Sequence, residues 1–286
     1  MNVLVAMDDG MGNGLMTTPM IQIVHANGHT VDVVCSYVRC QEIAFKHWDC
    51  VKNVFDVNQM RSKMVYDAAL WSWNLKNLRS VVKAKLHYMF SVPGKDSDDW
   101  IKRFKKHEVL YNVDQALKIG CKFDEVPKLR VYSNPVEVNL KKVAIGIGYL
   151  KSKPHWKVKW IAKHWGNDNF RNLCDKLLAA GLIPVVVGDA KDYDDDGHHI
   201  MLPGMQTVCG RPLQQVVDEI AKCSLYVGND TGLMHVAAAL GKPCVASFQM
   251  GSMLKNHPWE VPWIGFQTKP NVDQMFKAVM QLRGEK

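Results

Sequence analysis

The chain has 286 residues, 47% of them apolar and 22% charged, which is typical of a globular protein with one large domain or two of ordinary size. It contains no apolar run of about 18 residues or more, and Asp8 and Asp9 interrupt the N-terminal apolar run early, so we expect neither a membrane-spanning helix nor a signal peptide. The formal net charge of +8 predicts anionic partners, and eight scattered cysteines without a C-x-x-C pair predict reduced thiols and no zinc site.

The first half of the chain is predicted to alternate between strands and helices. Short apolar runs predict strands at 2–7, 29–35, 53–57 and 66–73. Helical spacing of apolar residues predicts helices at 15–28, 75–90 and 109–120. A loop is expected at 91–100, between the last two of these helices.

The second half repeats this alternation after a segment of little regular pattern. That segment, 121–142, contains two prolines and is typical of a linker. Strands are predicted at 142–150, 183–188, 225–230 and 243–248. Helices are predicted at 167–181, 212–223 and 232–241. An acidic loop at 189–199 separates the second of these strands from the next helix.

This alternation predicts a two-domain α/β protein. Strands joined through helices pair in parallel by right-handed crossovers, and ligands then bind at the carboxyl ends of the strands. We expect an N-terminal Rossmann-like domain at 1–125, a linker at 126–140 and a C-terminal Rossmann-like domain at 141–270. We also expect a C-terminal helix within 271–286 that packs back on the N-terminal domain.

The most informative stretch is "SLYVGNDTGLMHVAAALGKPCVASF". A strand ends at Asn229 and Asp230, and a helix begins at once with Thr231 and Gly232, where Asp230 or Thr231 is a natural N-cap. The start of a helix exposes unpaired N–H groups and partial positive charge, which suit a phosphate. Gly232 lets a ligand approach the backbone closely, and His235 follows one turn later. The alternative is a capped helix packed on the sheet, with His235 a hydrogen-bonded core residue.

The opening loop, "DDGMGNGLMTTP", follows the first predicted strand. A strand, a glycine-rich loop and a helix are the usual elements of a dinucleotide site. After Gly10 and Gly12, however, the third position of that fingerprint holds Leu15 instead of glycine. The loop therefore does not match a dinucleotide cradle.

The segment "NDTGLMHVAAALGKP" closely resembles the D-T-G-x-x-H-x-A-A-A signature of glycosyltransferase family 9, the heptosyltransferase-like enzymes. Further segments agree with this family in order. The block "KHWGNDNF" resembles its K-x-W-P block with Gly166 in place of proline, and the opening loop resembles its G-x-G-D loop followed by T-x-P. "HEVLYNVDQALKIG" and "GRPLQQVVDEIAKCSLYVGND" are similar to the corresponding helices and strand.

The resemblance implies a GT-B fold, in which two Rossmann-like domains with parallel sheets face each other across a cleft. It also implies inverting, metal-independent transfer from a nucleotide-sugar co-substrate, ADP-heptose-like, with no other cofactor. The C-terminal domain would bind this donor. The implied donor-binding residues are Lys163, Asp230, Thr231, Gly232, His235, Gly148 and Gly188, with Lys153, Lys157 and Lys159 in reserve. The acidic run at 194–196 is expected to be a solvated turn and not a metal site.

The general base is the point at which this sequence departs from the family. The resemblance implies an aspartate directly after the second loop glycine, but this chain has Asn13 there. An amide does not accept a proton near neutral pH. Asp9 and Asp8 lie upstream and are the candidate bases, with capping or solvation of the loop as the alternative role. Asn13 would then orient the acceptor.

Three functions remain open from the sequence. The first is transfer to an anionic glycan or glycolipid in lipopolysaccharide biosynthesis, in the cytoplasm or by peripheral contact with the inner membrane surface. The second is transfer to modified bases of duplex DNA in a phage-infected host cytoplasm, which the basic runs "VVKAKLHY" and "IKRFKKHE" motivate. The third is non-catalytic binding of a nucleotide sugar, which Asn13 motivates.

Overall fold

A computed structural model describes most of the chain, which divides into two compact units, Met1–Tyr132 and Ser133–Lys286. The division falls inside the predicted linker. None of the described helices is long and apolar enough to cross a membrane. The described residues are 1–7, 10–35, 43–45, 47–56, 64–72, 82–89, 104–148, 163–192, 200–249 and 251–285.

Within its described residues, the first unit contains a parallel five-stranded sheet. Its strands are β1 (Asn2–Ala6), β2 (Thr30–Cys35), β3 (Asn53–Asp56), β4 (Met64–Trp71) and β5 (Val82–Met89). Its helices are α1 (Met11–Leu15), α2 (Thr18–Ala26) and α3 (Glu108–Lys118). The strand order is β3-β2-β1-β4-β5, so β1 and β4 lie side by side where the direction of winding reverses. Apolar side chains of β1, β2 and β4 are buried in the core.

The predicted helix at 75–90 is wrong over residues 82–89, which form β5. In "VKAKLHYM" the apolar Val82 and Ala84 alternate with Lys83 and Lys85, and an alternation of period two fits an edge strand better than a helix. β5 pairs in parallel with β4 along its whole length. This non-local pairing, which local helical spacing does not reveal, decides the conformation.

The described part of the second unit contains a parallel six-stranded sheet. Its strands are β6 (Asn139–Gly146), β7 (Ile183–Val187), β8 (Gln206–Thr207), β9 (Cys223–Asn229), β10 (Cys244–Ser247) and β11 (Trp263–Phe266). Its helices are α4 (Asn167–Ala179), α5 (Ala190–Asp192), α6 (Leu213–Lys222), α7 (Gly232–Ala239), α8 (Met253–Asn256) and α9 (Val272–Arg283). All strands and helices predicted for this half occur, to within a few residues, and β8, β11, α5 and α8 are additional.

The strand order of this sheet is β11-β10-β9-β6-β7-β8. Counted within the unit, it is the doubly wound order in which the first and fourth strands are neighbours. Here these strands are β6 and β9, and the crevice beyond their carboxyl ends is where such sheets bind ligands. Asn229 and Asp230 lie at this edge.

Helix α9 packs against α4 in the second unit, where Met275, Ala278 and Val279 are buried in the core. Its start is fixed by a capping box between Asn271 and Gln274. The apolar face of α9 is therefore buried within the second unit, and the predicted packing of this helix on the first unit stays a prediction.

The beginning of the segment of little regular pattern, 121–142, is held to the first unit by hydrogen bonds. Asn27 accepts from the backbone N–H of Lys122 at 2.9 Å and donates to its carbonyl oxygen at 2.9 Å. Eight residues later, the Arg130 backbone N–H donates to the Thr18 hydroxyl at 2.9 Å. This part of the segment is ordered by the domain that precedes it.

Candidate functional site

The site begins with Asn229, the last residue of β9. Its amide nitrogen donates to the carbonyl oxygens of Ile147 and Gly148 at 3.2 and 3.3 Å, just beyond the end of β6. Its amide oxygen accepts from the Trp165 backbone N–H at 3.1 Å. One buried side chain thus joins the ends of β6 and β9 to the segment that leads into α4.

Asp230 is a buried carboxylate that receives donors from two elements. Its Oδ2 lies 3.2 Å from Lys163 Nζ and 3.2 Å from Asn256 Nδ2. Burial raises the pKa of Asp230, but the positive charge of Lys163, with His235 and the hydrogen bonds of Asn256 and Lys163, outweighs burial and lowers the pKa below its ordinary value. Asp230 is therefore ionised at neutral pH, where it holds the Lys163 ammonium in place.

Gly251 lets the backbone of the segment after β10 approach this carboxylate. A Cβ built on Gly251 would lie 2.1 Å from Asp230 Oδ2, well inside van der Waals contact. Only glycine fits there without displacing Asp230. Gln267 donates to the Gly251 carbonyl oxygen at 2.9 Å and fixes the close approach.

The amino end of α7 lies directly after Asp230. Thr231 occupies the predicted N-cap position, but its side chain makes no capping hydrogen bond, and its hydroxyl lies 3.4 Å from the Tyr226 hydroxyl. The first-turn N–H groups of α7 therefore do not receive a side-chain cap from Thr231. Gly232 opens the helix without a Cβ to obstruct a ligand.

His235, on the first turns of α7, is 3% exposed, and its Nδ1 has no hydrogen-bond partner among the described residues. Burial, with smaller contributions from the positive charges of Lys255, His257 and Lys163, lowers the pKa of His235 to about 4 in spite of the opposing charge of Asp230. The imidazole is neutral at physiological pH. Its Nδ1 is a buried polar atom without a partner in the described part of the chain, unlike the fully hydrogen-bonded core histidine of the alternative interpretation.

We expect His235 to make the protein sensitive to acid. A folded-state pKa of about 4, against the ordinary 6.5, means that the unfolded chain binds the proton first as pH falls. His235 should therefore contribute a decrease of about 3 kcal/mol in the free energy of unfolding between pH 6.5 and 4, and no further decrease below pH 4. Urea unfolding of His235→Gln across this range should show a smaller decrease, whereas the exposed-residue control His25→Gln should follow the wild type. An equal decrease in His235→Gln would contradict the assignment.

The two glycines implied for donor binding occupy different positions. The carbonyl of Gly148 is bound by Asn229 and lies in the site. Gly188 follows β7, beside β6, and its carbonyl accepts from the Gly210 N–H at 3.4 Å.

The reserve lysines and the acidic run are not part of the described structure: Lys153, Lys157, Lys159 and residues 194–196 lie outside the described residues. Among the described residues, no group of three or more His, Cys, Asp or Glu side chains could hold a metal ion.

Gly166 explains the departure from the K-x-W-P block. It precedes α4 as the N-cap with φ +110°, a backbone conformation that proline does not adopt. Trp165, beside it, is fully buried and donates from Nε1 to the Pro270 carbonyl at 2.8 Å. The glycine lets the chain turn from the site into α4.

The residues predicted as catalytic belong to the first unit. Asp8 and Asp9 lie outside the described residues. Asn13 lies in α1, so much of the predicted opening loop is helical, and its carbonyl accepts from the Thr17 hydroxyl at 3.0 Å. The roles of Asp8, Asp9 and Asn13 stay predictions.

Sequence reasoning missed Asn256, Gly251 and Lys255. Asn256 follows Asp230 by 26 residues and lies in a segment without regular pattern. Local spacing carries no signal that this segment folds onto the end of β9.

Comparison with known proteins agrees with this architecture. Lipopolysaccharide heptosyltransferase 2 of Salmonella typhimurium is 38% identical over 95 residues, which are 30% of this chain and 27% of that protein. The glycosyltransferase family 9 structure from Veillonella parvula has a TM-score of 0.78 at 14% identity, covering 100% of this chain and 98% of that one. The structure of an E. coli heptosyltransferase with ADP has a TM-score of 0.73 at 14% identity, and the match covers 99% of this chain and 100% of that one.

The two parallel Rossmann-like sheets and these structural neighbours define a GT-B fold, as predicted. Residues 154–279 match the model of glycosyltransferase family 9 (heptosyltransferase). This match lies within the second unit, and the resemblance seen in the sequence is confirmed. The matched part of this chain corresponds to 27%, about a quarter, of the length of the curated heptosyltransferase.

Proposed function

We propose that this chain is an inverting, metal-independent glycosyltransferase that moves a sugar from an ADP-heptose-like donor to a hydroxyl of a lipopolysaccharide-type acceptor. The observation that carries the proposal is the buried Lys163–Asp230 pair beside the amino end of α7, at the carboxyl edge of β6 and β9. The family domain in the second unit and the ADP bound to a structural neighbour support the choice of donor.

The arrangement suits the departure of a nucleoside diphosphate. When the bond between the anomeric carbon and the diphosphate oxygen breaks, negative charge grows on that oxygen. The Lys163 ammonium, held by Asp230 at 3.2 Å, and the first N–H groups of α7 would stabilise this charge without a metal ion. His235, neutral at physiological pH, would add a hydrogen bond that does not depend on its own charge.

The acceptor side needs a base. In a direct displacement the acceptor oxygen bonds to the anomeric carbon from the face opposite the leaving group, and its proton passes to a carboxylate. We assign this role to Asp9 or Asp8, because the amide of Asn13 does not take up a proton. Asn13 would orient the acceptor hydroxyl by hydrogen bonding.

Release of nucleoside diphosphate from ADP-, GDP- and UDP-sugars tests the proposal. We expect release only from an ADP-sugar with a lipopolysaccharide-core acceptor, unaffected by EDTA and strongly reduced in Asp230→Ala and His235→Ala. Duplex DNA containing hydroxymethylated bases is the acceptor control and should give none. Donor binding without release from any acceptor would instead indicate a non-catalytic binding protein, and unchanged release in both variants would refute the site.

A further inference from the structure

The described segment 251–257, which lies between β10 and β11 and includes α8, carries a polar cluster that is unusual for its burial. Ser252, Lys255 and Asn256 are 3%, 5% and 8% exposed. Lysine is almost never buried to this degree without a structural reason. The cluster lies against Asp230, on the side reached by Asn256.

Asn256 forms hydrogen bonds with two groups of opposite charge, the Asp230 carboxylate and the Lys255 ammonium. Its Nδ2 donates to Asp230 Oδ2 at 3.2 Å and approaches Oδ1 at 3.5 Å, while its Oδ1 accepts from Lys255 Nζ at 3.1 Å. A carboxylate only accepts and an ammonium only donates, so the orientation of the amide is set by its two neighbours. An ionised aspartate, a leucine or an alanine cannot make both contacts.

The segment itself is held rigidly. The Ser252 hydroxyl accepts from the Lys255 backbone N–H at 3.3 Å and caps α8. Gln267 donates to the carbonyl oxygens of Phe248 and Gly251 at 3.1 and 2.9 Å. Asn256 is therefore presented to Asp230 from a fixed backbone.

We infer that Asn256 is a positioning residue of the donor site, which orients the Asp230 carboxylate and through it the Lys163 ammonium. Lys255 anchors the amide from the other side. This inference rests on the proposed function for its role in donor binding, whereas the orientation of Asp230 by Asn256 stands on the geometry alone. A carboxylate that loses this hydrogen bond can rotate, and the ammonium that follows it moves away from the diphosphate.

The first test measures Asp230 without any ligand, by NMR titration of its carboxyl carbon. The hydrogen bond of Asn256 helps to lower the pKa of Asp230, so the pKa should rise in Asn256→Ala. It should stay unchanged in the control Asn139→Ala, since Asn139 is exposed at the start of β6. An unchanged pKa of Asp230 in Asn256→Ala would overturn the inference.

The second test uses Asn256→Asp, which keeps the shape of the side chain and replaces its donor by a second carboxylate. The charged and titratable groups that face Asp230 and this position are Lys163, Lys255, His235 and His257. At pH 8 we expect calorimetric Kd values for inorganic pyrophosphate and for ADP to rise at least about tenfold, because the new carboxylate lies beside the Asp230 carboxylate and the two negative charges repel each other. At pH 5.5 a proton shared by the two carboxylates restores a donor, and most of the affinity should return.

The pH-dependent recovery separates positioning from simple loss of packing, which would weaken binding equally at both pH values and would contradict the inference. The control Asn139→Asp adds the same charge and should bind like the wild type. If the wild type binds pyrophosphate but no ADP-sugar, the proposed donor is wrong. Pyrophosphate binding by Asn256→Asp at the two pH values then still decides the role of Asn256. If the wild type binds neither, the proposed function fails and the titration of Asp230 decides the positioning role.

Discussion

Replacing Lys163 with methionine is expected to lower the rate constant of sugar transfer by about 10²- to 10³-fold. Methionine keeps much of the length of the side chain but removes the charge that would stabilise the departing diphosphate. The Lys163 side chain is 11% exposed, so water would compensate little for the loss of its charge. The measurement is single-turnover release of nucleoside diphosphate at saturating donor, which reports the chemical step instead of binding.

Lys142 provides a matched control for this variant. It also forms a buried ion pair in the second unit, with Glu219, and its side chain is 16% exposed. Lys142→Met should lose stability without losing the rate of transfer, because Lys142 lies in β6 and pairs with α6. Equal rate losses in the two variants would show that the effect of Lys163→Met is a general consequence of a broken ion pair.

Replacing Asp230 with alanine is expected to lower the free energy of unfolding by about 3–5 kcal/mol. The substitution removes the carboxylate that binds Lys163 and Asn256, and a buried ammonium that loses its counter-charge is costly. Urea denaturation at pH 7.5 measures the loss. A decrease below about 1 kcal/mol, the range of exposed pairs, would show that solvent reaches the site.

A double-mutant cycle isolates the pair itself. In Asp230→Ala with Lys163→Met no unpaired ammonium remains, so the double variant should be more stable than the sum of the single effects predicts, by about 0.5–3 kcal/mol. The same cycle on Lys142 and Glu219 gives the value for a buried pair outside the site. Additive effects at Lys163 and Asp230 would mean that the two side chains do not interact energetically.

The alternation of strands and helices could be predicted from the sequence because each element has its own periodicity. β9 and α7 were predicted within two residues at either end, since an apolar run, a capping position and a helical stripe follow one another there. β5 was mistaken for a helix. Its eight residues are stabilised by pairing with β4, and that pairing joins residues far apart in sequence.

For the site, the sequence by itself determined that Asp230, Thr231, Gly232 and His235 follow directly on a strand, because these residues are neighbours in the chain. Lys163 could be predicted as a site residue only because the segment "KHWGNDNF" resembles the K-x-W-P block of the family. Only the tertiary structure decided that Lys163 lies 3.2 Å from Asp230, that Gly251 adjoins the carboxylate and that Asn256 holds it. These contacts depend on the order β10-β9-β6, which brings three separate loops to one edge of the sheet, and strand order is a property of packing that local residue spacing does not contain.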